Sequence, residues 1–136
     1  MIGLDIATKL IESSYLVVII SNQAGIALKS NPKAPSAHKA RLSAFKGKAT
    51  SVLTQLEFPM SIYAATEKDI YRKPRTGMWQ ELLEDNDLSG SSSIDGEDSF
   101  FVGDAGGRLH GDGFVKDFSS SDRYLYLRML CHIRTD

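Results

Sequence analysis

Apolar residues along the chain follow two different spacings. Three short runs are nearly continuous: YLVVII at 15–20, MSIYAAT at 60–66 and SFFVG at 99–103. Such runs predict strands covered on both faces, as in a parallel sheet. Elsewhere the apolar positions recur every three or four residues. Ile2, Ile6, Leu10 and Ile11 predict a helix over 3–13. Leu42, Phe45, Ala49, Val52, Leu53 and Leu56 predict a second one ending near Glu57, which Gly47 weakens without ending. Met78, Trp79, Leu82 and Leu83 predict a short helix over 75–85, and Tyr124, Leu127 and Leu130 or Cys131 the apolar face of a last one over 117–131. ALKSNPKAPS, residues 27–36, is read as a loop, and the acidic, Ser/Gly-rich NDLSGSSSIDGED, residues 86–98, as a mobile connection.

Helices and strands therefore alternate, which predicts an α/β fold: a parallel sheet with flanking helices and right-handed crossovers. The 136 residues suit one domain, 1–136. In such sheets ligands bind beyond the carboxyl ends of the strands. SNQAGI, the segment after MSIYAAT, and GDAGGR then fall on one edge.

Composition changes this picture little. A chain that is 42% hydrophobic and 24% charged with net charge -1 has no global bias toward a partner. Local charge is less even. Lys29, Lys33, Lys39, Arg41, Lys46 and Lys48 face one acid, Glu57, between Ser21 and Phe58, whereas Glu81 to Asp104 holds eight acids and no Lys or Arg. A solvated helix face and an acidic loop explain this as well as a polyanion surface does. The single cysteine, Cys131, excludes an internal disulfide and a Cys-rich zinc site, favouring a reducing compartment. Apolar runs stay far below the ~20 residues that span a bilayer.

The three strand ends carry the chemistry. Ser21 and Asn22 offer a hydroxyl and an amide to an anionic oxygen, and Gly25 permits close backbone approach. YRKP places Lys73 before a helix, where an ammonium can offset charge on a transferring phosphoryl group. Asp104 of GDAGGR is a hard oxygen ligand suited to magnesium. Taken singly, each has an ordinary explanation as a turn or surface residue. Their common position after successive strands is what points to a phosphate-handling site.

IISNQAGI, ATEKDIYRKPRTGMW, FFVGDAGGR and KDFSSSDR, in this order, resemble the DNA 3'-phosphatase domain of the polynucleotide kinase 3'-phosphatase family, within the haloacid dehalogenase (HAD) superfamily. The resemblance covers residues from about 6 to 130. It implies a HAD-like, Rossmannoid sheet, with Ser21 bonding the transferring phosphoryl, Asn22 and Gln23 completing its loop, Lys73 neutralising phosphoryl oxygens and Asp104 binding Mg2+. Arg108, Lys116, Asp117 and Asp122 fall in the following segment as structural or substrate-orienting residues, Arg108 among the substrate-binding ones. The implied substrate is a DNA end bearing a 3'-phosphate. The implied setting is DNA repair in the nucleus, with DNA-repair proteins as possible partners.

One element of the family reaction is not found. These phosphatases attack phosphorus with the first aspartate of D-x-D-G-T and use the second as general acid and then base. The 136 residues contain no D-x-D-G-T. In LDIAT, at 4–8, Ala7 stands where the second aspartate belongs, and the residues 6–14 are too few for a crossover of about 10–12 to YLVVII. Asp5 is thus read as a helix residue. The expectation is a truncated, inactive domain lacking the first strand, whose absence leaves an apolar sheet edge.

Three alternatives follow. A kinase needs G-x-x-x-x-G-K-[ST], and GKAT at 47–50 fails at Leu42 and Ala49. A small-metabolite HAD phosphatase with a zinc-binding cysteine loop is disfavoured by the single cysteine. A non-catalytic DNA-end or protein-binding module would use the basic stretch from Lys29 to Lys48.

Overall fold

A computed structural model describes residues 9, 12–13, 15–23, 25–26, 35–56, 59–88, 94–109 and 115–134. It divides into two compact units, residues 1–67 and 68–136.

In the first unit, strands β1 (Val18–Asn22) and β2 (Ser61–Ala65) pair in parallel, Val18 opposite Ser61 and Asn22 opposite Ala65. A hydrogen bond from the Gln23 N–H to the Ala65 carbonyl, at 2.8 Å, carries the ladder one residue further. Helix α1 (Pro35–Leu56) makes the crossover that parallel pairing requires. It opens at a proline, which suits a first helical position. Leu42, Phe45, Ala49, Leu53 and Leu56 are half-buried at steps of three and four, as the sequence predicts, while Val52 is exposed. Of the helix read over 3–13 only Lys9 and Glu12 are described as helical, the Ser13 N–H donating to the Lys9 carbonyl; the rest, like the loop at 27–34, lies outside the described residues.

The second unit holds helices α2 (Gly77–Asp85) and α3 (Ser121–Arg134). Met78, Trp79, Leu82 and Leu83 form the buried side of α2, and Gly77 is required at its start, because a Cβ there would lie 2.7 Å from the Ile70 carbonyl oxygen. The helix ends in a Schellman motif: Leu88 N–H donates to the Leu83 carbonyl and Asp87 N–H to that of Glu84, with Asp87 at φ 54. On α3 the buried residues are Asp122 and Leu125, with Tyr126, Met129 and Ile133 half-buried. Tyr124, Leu127 and Cys131 are exposed and of the predicted face Leu130 alone is half-buried, so the apolar face is rotated from the one the spacing predicts. Asp122, bonded inward, sets that rotation.

The third predicted strand is corrected. Residues 99–103 are irregular, although they keep a strand's alternation: Phe100 and Val102 are exposed, while Phe101 packs on Tyr126 with ring centroids 6.1 Å apart. A strand is defined by its pairing, and among the described residues the sheet contains β1 and β2 alone. The acidic connection read at 86–98 is ordered in part. Asp95 Oδ1 accepts the N–H groups of Glu97 and Asp98, and the Ser99 hydroxyl donates to the Asp95 carbonyl. Residues 89–93 lie outside the described part.

Candidate functional site

The residues singled out in the sequence form two clusters, one in each unit. In the first, Ser21 and Asn22 end β1. Ser21 Oγ accepts a 2.7 Å bond from Gln23 Nε2, which fixes the hydroxyl's direction. Gly25 then takes φ +95, a conformation that disfavours side chains, and its carbonyl accepts a 3.5 Å bond from Arg41 of α1. Strand alternation puts Ile19, Ser21 and Gln23 on one face. They line an open hollow of about 470 Å³ with Arg41, Lys48 and Phe45. Two cations of the basic stretch therefore border the space beside the Ser21 hydroxyl.

The second cluster is built around Asp122, which is 4% exposed in the first turn of α3. Its Oδ1 accepts from Lys73 Nζ at 2.5 Å and its Oδ2 from the Ala105 N–H at 3.0 Å. The Ala105 carbonyl in return accepts the N–H groups of Asp122 and Arg123, at 3.1 and 3.5 Å, which would otherwise be orphan donors of the helix terminus. Gly103 leaves room for the carboxylate: a Cβ there would come within 2.5 Å of Asp122 Oδ2. YRKP is held from below as well, by Arg128 Nη1 on the Pro74 carbonyl, and its Lys73–Pro74 bond is cis. Lys73 and the turn carrying Asp104 are thus fastened to one side chain, while the Asp104 residue itself is exposed.

Arg108 and Asp117 close the following loop. Arg108 Nε and Nη2 both reach the Asp117 carboxylate, Nη2 at 2.8 Å, and the Arg108 N–H donates to the same group. Hydrogen bonding to Asp117 raises the guanidinium's pKa, and the same bonds hold the Asp117 carboxyl below its ordinary value. Gly107, at φ +75 with Ser120 Cβ 2.8 Å from where its own Cβ would be, admits no other residue without rearrangement. Arg108, read as substrate-binding, spends the edge of its guanidinium on Asp117, and Lys116 is exposed beside it.

Asp122 is the residue whose importance the spacing conceals. Its signal was its place in KDFSSSDR, at the start of a helix, where acids are common for dipole reasons alone. A D-x-D pattern also exists at Asp85, Asn86 and Asp87. It forms the Schellman end of α2 and is followed by Leu88 and Ser89, so it is helix termination and no nucleophile motif. Among the described residues no three His, Cys, Asp or Glu side chains gather as a metal cluster. Mg2+ does not need such a cluster, since it keeps several waters and takes one or two carboxylates plus substrate phosphates, and the exposed Asp104 fits that pattern.

Parallel strands with a crossover helix in one unit, and a lysine–carboxylate lock on a Gly-Asp-Ala-Gly turn in the other, make the chain α/β in class and are consistent with a HAD-like fold. A family model described as polynucleotide kinase 3 phosphatase matches residues 4–130, and the chain belongs to that family. It is 37% identical over 122 residues, 85% of this chain and 56% of the other, to the uncharacterized 20.8 kDa protein in the FGF-VUBI intergenic region of Autographa californica nuclear polyhedrosis virus. It is 40% identical over 99 residues to the bifunctional polynucleotide phosphatase/kinase of Schizosaccharomyces pombe, covering 73% of this chain and 21% of that protein. Similarity to the polynucleotide 3'-phosphatase ZDP of Arabidopsis thaliana is 31% over 117 residues, 77% of this chain and 16% of that protein. The chain therefore spans about half or less of the length of these relatives. No solved structure matches it.

Proposed function

We propose that the chain carries the phosphoryl-receiving half of a DNA 3'-phosphatase site, acting at strand ends that bear a 3'-phosphate and serving DNA repair. The observation that carries this reading is the double attachment of the Asp122 carboxylate, to Lys73 and to the turn bearing Asp104. It fastens an ammonium and the turn that bears a hard carboxylate ligand to one side chain, an arrangement suited to neutralising a phosphoryl group. Ser21, oriented by Gln23, and Asn22 bond the phosphoryl oxygens. Asp104 would hold Mg2+, which would supply charge neutralisation there.

Attack on phosphorus needs a carboxylate that the motif D-x-D-G-T provides, and these 136 residues have none. The expected result is therefore selective binding without turnover. A 3'-phosphorylated oligonucleotide should bind more tightly than its 3'-hydroxyl form, a difference lost in Lys73→Ala. Phosphate release should stay at background with Mg2+ present. Fusing a segment that carries D-x-D-G-T upstream should restore release, and Asp104→Ala should abolish it again. Turnover by the 136 residues that disappears with Asp104→Ala would overturn the inactivity, and equal binding of both ends would overturn the phosphate reading.

A further inference from the structure

Lys73 lies in a segment without a regular backbone ladder to hold it. Residues 68–76 are turns and bends, and the chain enters α2 only at Gly77. Asp122 fixes the tip of the Lys73 side chain, Nζ, but a lysine reaches its tip through a flexible four-carbon stem. The place of the ammonium therefore depends on how the backbone beneath it is held.

That backbone is held from two helices, on both sides of Lys73. Two residues before it, the Tyr71 hydroxyl donates to Glu81 Oε1 of α2 at 2.9 Å. One residue after it, the Pro74 carbonyl accepts from Arg128 Nη1 of α3 at 3.1 Å. Proline has no N–H, so the carbonyl is the one backbone group by which Pro74 can be bonded. The turn that carries them is closed by Arg75 Nη1 on the Asp69 carbonyl at 2.8 Å and by the Tyr71 N–H on Asp69 Oδ1 at 3.0 Å. Both helix residues thus spend a charged group on a neutral partner beside Lys73, and such charge-assisted bonds are stronger than neutral ones. Arg128 is exposed and Glu81 half-buried, so neither is there to fill the core.

We propose that Glu81 and Arg128 are positioning residues for the Lys73 ammonium, acting through Tyr71 and Pro74. This rests on the 3'-phosphatase reading above and adds what sets the place of its cation. Affinity for a terminal phosphoryl group then depends on the two helices that grip the flanks of Lys73, as well as on the carboxylate that holds its tip.

The test is fluorescence anisotropy of the purified chain with a labelled oligothymidylate in 3'-phosphate and 3'-hydroxyl forms, read as the ratio of the two affinities. Glu81→Ala and Arg128→Ala should each reduce that ratio about five-fold, the weight of a hydrogen bond of ordinary net strength, and leave the 3'-hydroxyl affinity unchanged. Glu81→Gln and Arg128→Lys, which keep an acceptor and a donor, should retain most of it. In a Lys73→Ala background neither alanine substitution should change the ratio, which separates positioning from a merely structural role. Without any oligonucleotide, the 1H–15N signal of the Lys73 ammonium should be present in the parent and weakened in both alanine variants. A ratio that both alanine variants keep, with the parent discriminating, would overturn the positioning and leave the phosphatase reading standing. Equal affinities in the parent would overturn the phosphatase reading; the ammonium signal then decides the positioning alone, and a signal unchanged by both substitutions overturns it. If Glu81→Ala melts early, Tyr71→Phe, which removes only the hydroxyl that Glu81 holds, makes the same comparison.

Discussion

Among the described residues of the second unit, Asp122 joins the most segments, tying Lys73 and the Ala105 turn to the start of α3. Its side chain is 6% exposed and that of Lys73 11%, so their ion pair is shielded from solvent, and breaking such a pair typically costs about 3–5 kcal/mol. Asp122→Ala should lower the urea unfolding free energy by about 3 kcal/mol, whereas Asp122→Asn, which keeps an acceptor for the Ala105 N–H, should lose less. Gly103→Ala should act in the same direction, because its Cβ and the carboxylate oxygen cannot both keep their places. Equal stability of all three with the parent would refute this account. Asp117 gives a pH test at the same scale. Its carboxyl is held below its ordinary value by the Arg108 hydrogen bonds, so its contribution is fully present above the unfolded value of about 3.9 and is lost as pH falls through the lower, folded one. Acid titration of stability should therefore show a loss below about pH 4 that is smaller in Asp117→Asn.

At the level of elements, two glycines in helices make opposite predictions. Nothing lies within 4 Å of a Cβ added at Gly47, in the interior of α1, so Gly47→Ala should stabilise by about 0.8–1 kcal/mol. Gly77 opens α2 against the Ile70 backbone, so Gly77→Ala should lower the thermal midpoint despite the better helix former. The same contrast explains what could be read in advance. Periodicity located α1, α2 and both paired strands, since their apolar positions are spaced by local geometry. It misjudged α3, where Tyr124, Leu125, Tyr126 and Leu127 are consecutive apolar residues and the facing choice is made by Asp122 through a contact 49 residues away. It misjudged 99–103 for a related reason: alternation encodes two faces, but a strand also needs a neighbour. The residue types of the candidate site were legible because a hydroxyl, a lysine and an aspartate each stood at a segment end. The bond that joins Lys73 to the Ala105 turn was not, because an acid at a helix start is ordinary.

At the scale of the whole chain, the first unit is built on a narrow sheet. Among the described residues β1 and β2 each have one neighbour in it, and every residue of β1 is only half-buried, although Val18, Ile19 and Ile20 are β-branched and apolar. Parallel sheets usually occur covered on both faces, and two strands are marginal without further packing. Open strand edges with apolar side chains are templates for pairing with a second chain. The chain's net charge of -1 gives little repulsion to oppose that. Light scattering on the purified protein should therefore show a mass that rises above the monomer with concentration. Val18→Lys, which places a charge at the first residue of β1, should suppress the rise while leaving the far-ultraviolet dichroism unchanged. A constant monomer mass with one sharp cooperative melt would mean that α1 and its surroundings cover the sheet well enough to protect its edges. In that case the low burial of β1 would carry no cost in association.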